Sequence, residues 1–216
     1  MTAEPTAASH PGARSRGQHQ RRKRIIQAAA ALASRGGVEA MQMRTVAERA
    51  GVALGTLYRY FPSKMDLVVA VVGEELDLLE GSLERRPPRS SAAPRRAVEV
   101  LMRATRGLMR EPELADALIR SLLLSDVTTD FGDRMVGLLS RAAAGPAADP
   151  DSGGPDRHGP DGGGAAGAAD RERRLLLRAL SSMWVMEMIE MLRGHTTNEE
   201  IQARLEVAAD RLLAGF

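Results

Sequence analysis

The sequence predicts an all-α protein of about nine helices in two domains, and three observations predict it. Apolar residues recur at steps of three and four along most of the chain. The helix formers Ala, Leu and Arg far outnumber Val and Ile, and aromatic residues are only 3% of the total. Gly36-Gly37, Gly51, Pro62, Pro87-Pro88, Pro112 and Gly194 punctuate the periodic stretches where helices must end or begin. At 216 residues the chain is long enough to bury two small cores.

Residues 1–17 are rich in Ala, Pro, Ser and Gly with no apolar period, and are expected to form a disordered tail. Arg14, Arg16, Arg21, Arg22, Lys23 and Arg24 make a basic cluster with no acid among them. It reads either as a solvated tail or as an arm adding phosphate or minor-groove contacts, and the sequence leaves both open. A first helix is expected over 18–35, with Ile25, Ile26, Ala29, Ala30, Leu32 and Ala33 on its apolar face and Gly36-Gly37 ending it. Val38, Ala40 and Met41 carry the chain back to the core. Arg44 opens a second helix that turns Val46, Ala47 and Ala50 inward.

Gly51 then supplies a left-handed turn, a conformation that costs other residues roughly 1–2 kcal/mol. In the segment of about seven residues that follows, Val52 and Leu57 anchor the core. Pro62 disfavours a helical residue before it, so this helix stops near Phe61; Ser63 caps the next one at Lys64, with Asp66 in its first turn. Two short helices across a glycine turn are a helix-turn-helix. The second holds Gly55, Thr56, Tyr58, Arg59 and Tyr60, which are poor core material and good DNA-contact material. Lys64, at a helix N-terminus, suits a phosphate. Singly, Tyr58, Tyr60 and Lys64 read as ordinary surface residues; as a set in this frame they read as contacts.

Charge supports this. Residues 1–64 hold eleven Lys or Arg against three acids, net +8, and residues 65–216 hold nineteen against twenty-five, net −6. A positive field beside a groove-sized element is the footprint of a duplex-binding protein.

The run GVALGTLYRYFPSK (51–64), preceded by MRTVAERA and the Ile- and Ala-rich helix, resembles the DNA-binding domain of TetR-family transcriptional regulators. The resemblance implies a homodimer with an N-terminal three-helix DNA-binding domain (18–64) and a C-terminal ligand-binding and dimerisation domain (65–216). Position by position, it places Arg44 and Thr45 where the family touches bases or phosphates. Leu54, Gly55, Thr56 and Arg59 fall at groove-facing positions, and Tyr58, Tyr60 and Lys64 at phosphate-binding ones. Leu54 departs from the polar residue often found there; a thymine methyl is the contact open to it. Within the family, RRKRIIQAAAALASRGGVEAMQMRTVAERAGVALGTLYRYFPSK is similar to the actinobacterial repressors of cholesterol catabolism, the KstR-like group. That likeness is fainter at 110–126 and 181–184. It implies an acyl-CoA or steroid-type effector.

The rest of the chain reads as helices over Lys64–Leu83, from about Pro94 to Arg110, Pro112–Leu124, Thr129–Ala144, Asp170–Arg193 and onward from a Thr197–Glu200 capping box. The helix from Lys64 joins the two domains and is the expected mechanical link. Residues 145–169, almost wholly Gly, Ala, Pro and Asp with Arg157 and His158, are expected to be a disordered insertion. Methionines and a few polar residues mark a candidate pocket for a bulky apolar effector: Met102, Thr105, Arg106, Met109, Arg120, Met135, Met183 and Trp184, with core filling as the plain alternative for each methionine. The last two helices are the expected dimer interface, through Leu180, Ile189, Leu192, Leu205 and Leu212.

Cysteine is absent, and the four histidines (His10, His19, His158, His195) are scattered. With no phosphate loop and no metal-spaced set either, neither an enzyme, a metal nor a cofactor is expected. No run approaches the roughly 18 apolar residues of a membrane span, so a soluble cytoplasmic protein is expected. The partners expected are double-stranded DNA with a palindromic operator, a small hydrophobic effector and a second copy of the chain. The alternatives are a regulator of an efflux or antibiotic-resistance gene answering to a drug-like ligand, and a helical dimeric interaction protein without sequence-specific DNA binding.

Overall fold

The structure is a computed structural model that describes residues 11–124, 130–145 and 163–215. Among these it is built from helices alone: α1 (Pro11–Ala40), α2 (Met43–Ala50), α3 (Leu54–Tyr60), α4 (Lys64–Arg85), α5 (Ala93–Leu108), α6 (Pro112–Leu124), α7 (Phe131–Ala144), α8 (Gly163–Leu192) and α9 (Asn198–Leu212). Two boundaries differ from expectation. Helix α1 begins at Pro11, so residues 11–17 are helical rather than part of a disordered tail. Helix α8 begins at Gly163, so the Ala- and Gly-rich 163–169 belongs to it. Glycine weakens a helix without forbidding it, and each stretch runs directly into a strong helical segment that extends it. His10, Arg157 and His158 lie outside the described residues.

The glycine breaks act as the sequence predicts. Gly37 interrupts α1 at φ 63°, and Gly51 caps α2 at φ 64°, ψ 43°. Both values are left-handed, and Gly51 closes the turn as its N–H reaches the carbonyls of Ala47 and Glu48. Ser63 opens α4 with a capping box: its hydroxyl accepts from the Asp66 N–H at 3.1 Å while Asp66 Oδ2 accepts from the Ser63 N–H at 2.9 Å. Such a cap is worth about 1 kcal/mol.

Two cores result. The first, the head, packs Ile25, Ile26, Ala29 and Ala33 of α1 against Val46, Ala47, Leu57 and Phe61. It does not stop at Lys64, because Leu67, Val68, Val71 and Val72 of α4 complete it together with Leu114 of α6. The second, the body, gathers α5, α7, α8 and α9 around Leu101, Met135, Leu139, Leu180, Trp184 and Leu205, and takes Leu76 and Leu79 from α4. One apolar stripe on α4 is thus shared end to end between two cores. Each fully buried Ile, Leu or Val in them contributes about 1.5–3 kcal/mol.

Three polar side chains buried in the body, Thr105, Trp184 and Arg96, are paired. The Trp184 indole N–H donates to Thr105 Oγ1 at 2.8 Å, and that hydroxyl donates to the Leu101 carbonyl at 3.0 Å. Arg96, 9% exposed, has no carboxylate partner among the described residues; its guanidinium donates to the carbonyls of Ala142 (2.7 Å), Ala143, Ser90 (3.0 Å) and Ser91 (2.6 Å). It sits at the negative end of α7, where a cation is favoured, and pins the α4–α5 connection to that end.

Candidate nucleic-acid interface

Helix α3 is held from one side only. Leu57 is fully buried while its neighbour Tyr58 is 45% exposed, so a seven-residue helix offers its other faces to solvent. Arg44, Gly55, Tyr58 and Arg59 stand exposed; Thr45, Leu54, Thr56, Tyr60 and Lys64 are half-buried. All of these predicted contact residues fall on α2, on α3 or at the first residue of α4. Leu54 and Tyr60 also lean on the head core, so they hold α3 in place as well as fronting it. No side-chain cap orders the start of α3, and a Cβ added at Gly55 would meet nothing within 4 Å. Nothing in the protein's own packing requires glycine there.

The electrostatics fit a polyanion. The Arg59 guanidinium lies 6.0 Å from the Tyr60 ring centroid, and Arg22 of α1 lies 5.5 Å from the ring of Phe61, at the end of α3. Each is a cation–π distance, and each fixes a positive charge beside the exposed face. Lys64 Nζ is 3.9 Å from Glu39 Oε2, but that carboxylate is 98% exposed, a pairing water screens heavily. Its ammonium remains available to a phosphate at the α4 N-terminus.

A second feature lies between head and body. Helices α4, α5, α6, α7 and α8 enclose a cavity of about 450 Å³ with an apolar lining that includes Val72, Leu76, Leu79, Leu108, Ile119, Phe131, Met135, Trp184 and Met188. Among the expected pocket residues, Met135 and Trp184 line it. Thr105 stands behind Trp184 with its hydroxyl committed, Met102 is buried in the body core, and Met109 and Met183 pack half-buried against that core. Arg106 and Arg120 are exposed, and Arg120 pairs with Asp116 on its own helix at 2.7 Å. On α5 the face toward the cavity runs through Arg103, Ala104, Gly107 and Leu108, and Arg106 is rotated off it.

The cavity's polar groups escaped the sequence reading. Glu75, Ser82 and Arg85 of α4 line it, with Arg103, Arg110 and Glu111. They interrupt the α4 stripe at helical spacing from Val72 and Leu79, which is the signal that could have found them. Burial raises the Glu75 pKa above the ordinary carboxylate value; the Glu111 charge adds to this, Arg110 partly offsets it, and Glu74 raises it further. Arg103 is already engaged by the carbonyls of Ser82 and Arg86 and by Glu99, which leaves Arg85 and Arg110 as the freer cations of the wall.

The expected interface residues also need correction. Leu180 and Leu205 are 0% exposed inside this chain's own core and cannot meet a partner. Ile189, Leu192 and Leu212 are half-buried against the same core. The apolar side chains that α8 and α9 expose are instead Leu175 (62%), Met186 (57%) and Val207 (66%). The most regular apolar stripe of each helix was taken by the nearer core.

Among the described residues no helix is long and apolar enough to cross a membrane, and no group of His, Asp and Glu is arranged to hold a metal.

Comparison with known proteins agrees with this geometry. The sequence pattern for "Bacterial regulatory proteins, tetR family" matches residues 25–71, the head from Ile25 into α4. The chain is 34% identical over 200 residues to the HTH-type transcriptional repressor KstR of Rhodococcus jostii RHA1, spanning 92% of this chain and 85% of that one. It is 31% identical over 206 residues to KstR of Mycobacterium tuberculosis H37Rv, spanning 93% and 84%. The crystal structure of a TetR transcriptional regulator from Rhodococcus sp. RHA1 superposes with a TM-score of 0.69 at 30% identity, covering 93% of this chain and 99% of that one. With more than 30% identity over nearly its whole length to these repressors, the chain belongs to the TetR family of DNA-binding transcriptional regulators.

Proposed function

We propose that two copies of the chain pair through α8 and α9 and repress transcription by seating their α3 helices in a palindromic operator. An elongated, largely apolar effector with an acidic group then releases the DNA. The observation that carries this reading is the position of the cavity. Val72 and Leu114 belong to the head core and to the cavity wall at once, and Leu108 and Phe131 lie against both cores while lining the same space. A ligand that displaces them moves the head. Two recognition helices must sit about 34–36 Å apart to read successive half-sites, so a shift of a few ångströms abolishes the match.

The lining supports the class of effector. The volume is that of a ligand site, the wall is mostly apolar, and Arg85 and Arg110 supply charge for a carboxylate or phosphate. A steroid acid or an acyl-CoA thioester has this composition, and the KstR relatives make that group the first to try.

Fluorescence anisotropy with duplexes from the region upstream of the protein's own gene tests the reading. Preference for one palindrome over random duplex is expected, with a log–log salt slope near −0.9 per phosphate neutralised. Tyr58→Phe is expected to weaken all duplexes alike, and Arg44→Ala to relax sequence preference as well. Acyl-CoA thioesters or steroid acids are expected to release the bound operator. Binding indifferent to sequence and to salt would refute the proposal.

A further inference from the structure

We propose that the extension of α1 from Pro11 to Arg24 is a second DNA-contact element, which lies along the duplex phosphates flanking the groove read by α3. The inference rests on the DNA-binding reading above and goes beyond the helix-turn-helix itself.

The extension has no structural task in the head. The first α1 side chain in the head core is Ile25, and from Arg16 to Arg24 none is buried. About fourteen residues of helix, some 20 Å at 1.5 Å per residue, project beyond the packed region. Helices in proteins owe most of their stability to a buried face, and this one has none to bury.

Its charges are also arranged against its own stability. Residues 11–38 contain no Asp or Glu, so Arg21, Arg22, Lys23 and Arg24 find no acidic partner three or four residues away along the helix. Like charges three and four residues apart repel, as at Arg21 and Arg24. A polyanion outside the chain reverses the sign of each of these costs.

Position selects the polyanion. Arg22 lies 5.5 Å from the ring centroid of Phe61, which follows α3 directly and precedes the Pro62-Ser63-Lys64 entry to α4. The base of the extension is thereby fixed beside the end of the recognition helix. Arg59 and Lys64 lie two and three residues from Phe61 in the chain, so Arg22, Arg59 and Lys64 all lie near the end of α3. A duplex held by α3 places its phosphates within reach of the extension, and each cation brought to one releases a counterion.

The test is the triple variant Arg21→Gln, Lys23→Gln, Arg24→Gln in the full chain, which leaves Arg22 and its contact with Phe61 in place. Anisotropy titrations on operator and random duplex across a salt series give two readouts. The magnitude of the salt slope is expected to fall by roughly 2.7 per protomer, about 0.9 for each charge removed. Affinity is expected to fall alike on both duplexes, with their ratio unchanged within about twofold, since phosphate contacts carry no sequence. A hydroxyl-radical footprint is expected to lose protection at its flanks and keep its centre. An unchanged slope would overturn the inference while the α3 reading stood. A loss confined to the operator would overturn it as well, by making these residues readers of bases. If the unaltered protein preferred no duplex, the DNA reading would fall and take this one with it.

Discussion

Gly55→Ala separates what α3 does for the fold from what it does for DNA. Glycine in a helix is about 0.5–1 kcal/mol less favourable than alanine. The added methyl would find open space, with no atom of the protein within 4 Å. Judged by folding alone the substitution should therefore stabilise the head. In a chain of this size that corresponds to a rise in Tm of about 1–4 °C, readable by calorimetry or urea titration. Judged by DNA binding it should do harm, because the methyl stands on the exposed face of a helix that must approach bases within hydrogen-bonding distance. A displacement of even one good contact costs about 1.4 kcal/mol, or tenfold in Kd. Higher stability with at least tenfold weaker operator binding is the expected pair of results. Affinity that held or improved would show that Gly55 is not on the groove-facing side. Lower stability would show that the space around it is filled.

Three further outcomes follow from the geometry. Thr105→Val strands the buried Trp184 indole N–H without its acceptor, and should cost about 1–3 kcal/mol in urea unfolding; an unchanged midpoint would refute this. The Glu75 carboxyl, raised by burial and by Glu111, holds its proton more tightly folded than unfolded. Its contribution is complete below the ordinary carboxylate value of 4.5 and is lost as pH rises through the raised one. Glu75→Gln should accordingly raise Tm at pH 7 and leave it unchanged near pH 4; equal effects at both pH values would refute this. Val207→Asp, on the exposed side of α9, should yield a folded monomer by sedimentation, whereas Leu205→Asp, fully buried, should unfold the body. A Val207→Asp dimer of undiminished stability would move the interface elsewhere.

The two α9 residues show why some of the site was legible in the sequence and some was not. Leu205 and Val207 are near neighbours with similar hydropathy, and the apolar period marks a stripe without saying which body will cover it. Leu180 and Leu205 were covered by the chain itself, leaving Leu175, Met186 and Val207 for another surface. The cavity repeats the point: Met135 and Trp184 were found from composition, but Glu75, Arg85, Arg103 and Arg110 became wall residues only when α4 and α5 met at a particular rotation. A few tens of degrees of helix rotation decide whether Arg106 or its neighbours face inward, and single-chain periodicity does not carry that precision.

The local devices, by contrast, were written in the sequence. Gly51 can take its left-handed turn because it lacks a Cβ, Pro62 ends α3, and Ser63 with Asp66 and Thr197 with Glu200 build capping boxes from atoms three residues apart. Interactions within one turn depend only on covalent neighbours, so the helix-turn-helix and its caps followed from residue order. The tertiary structure alone decided that Leu114 of α6 completes the head core and that one α4 stripe serves two cores. Those contacts join residues far apart in the chain, and their geometry is fixed by how all the helices pack at once.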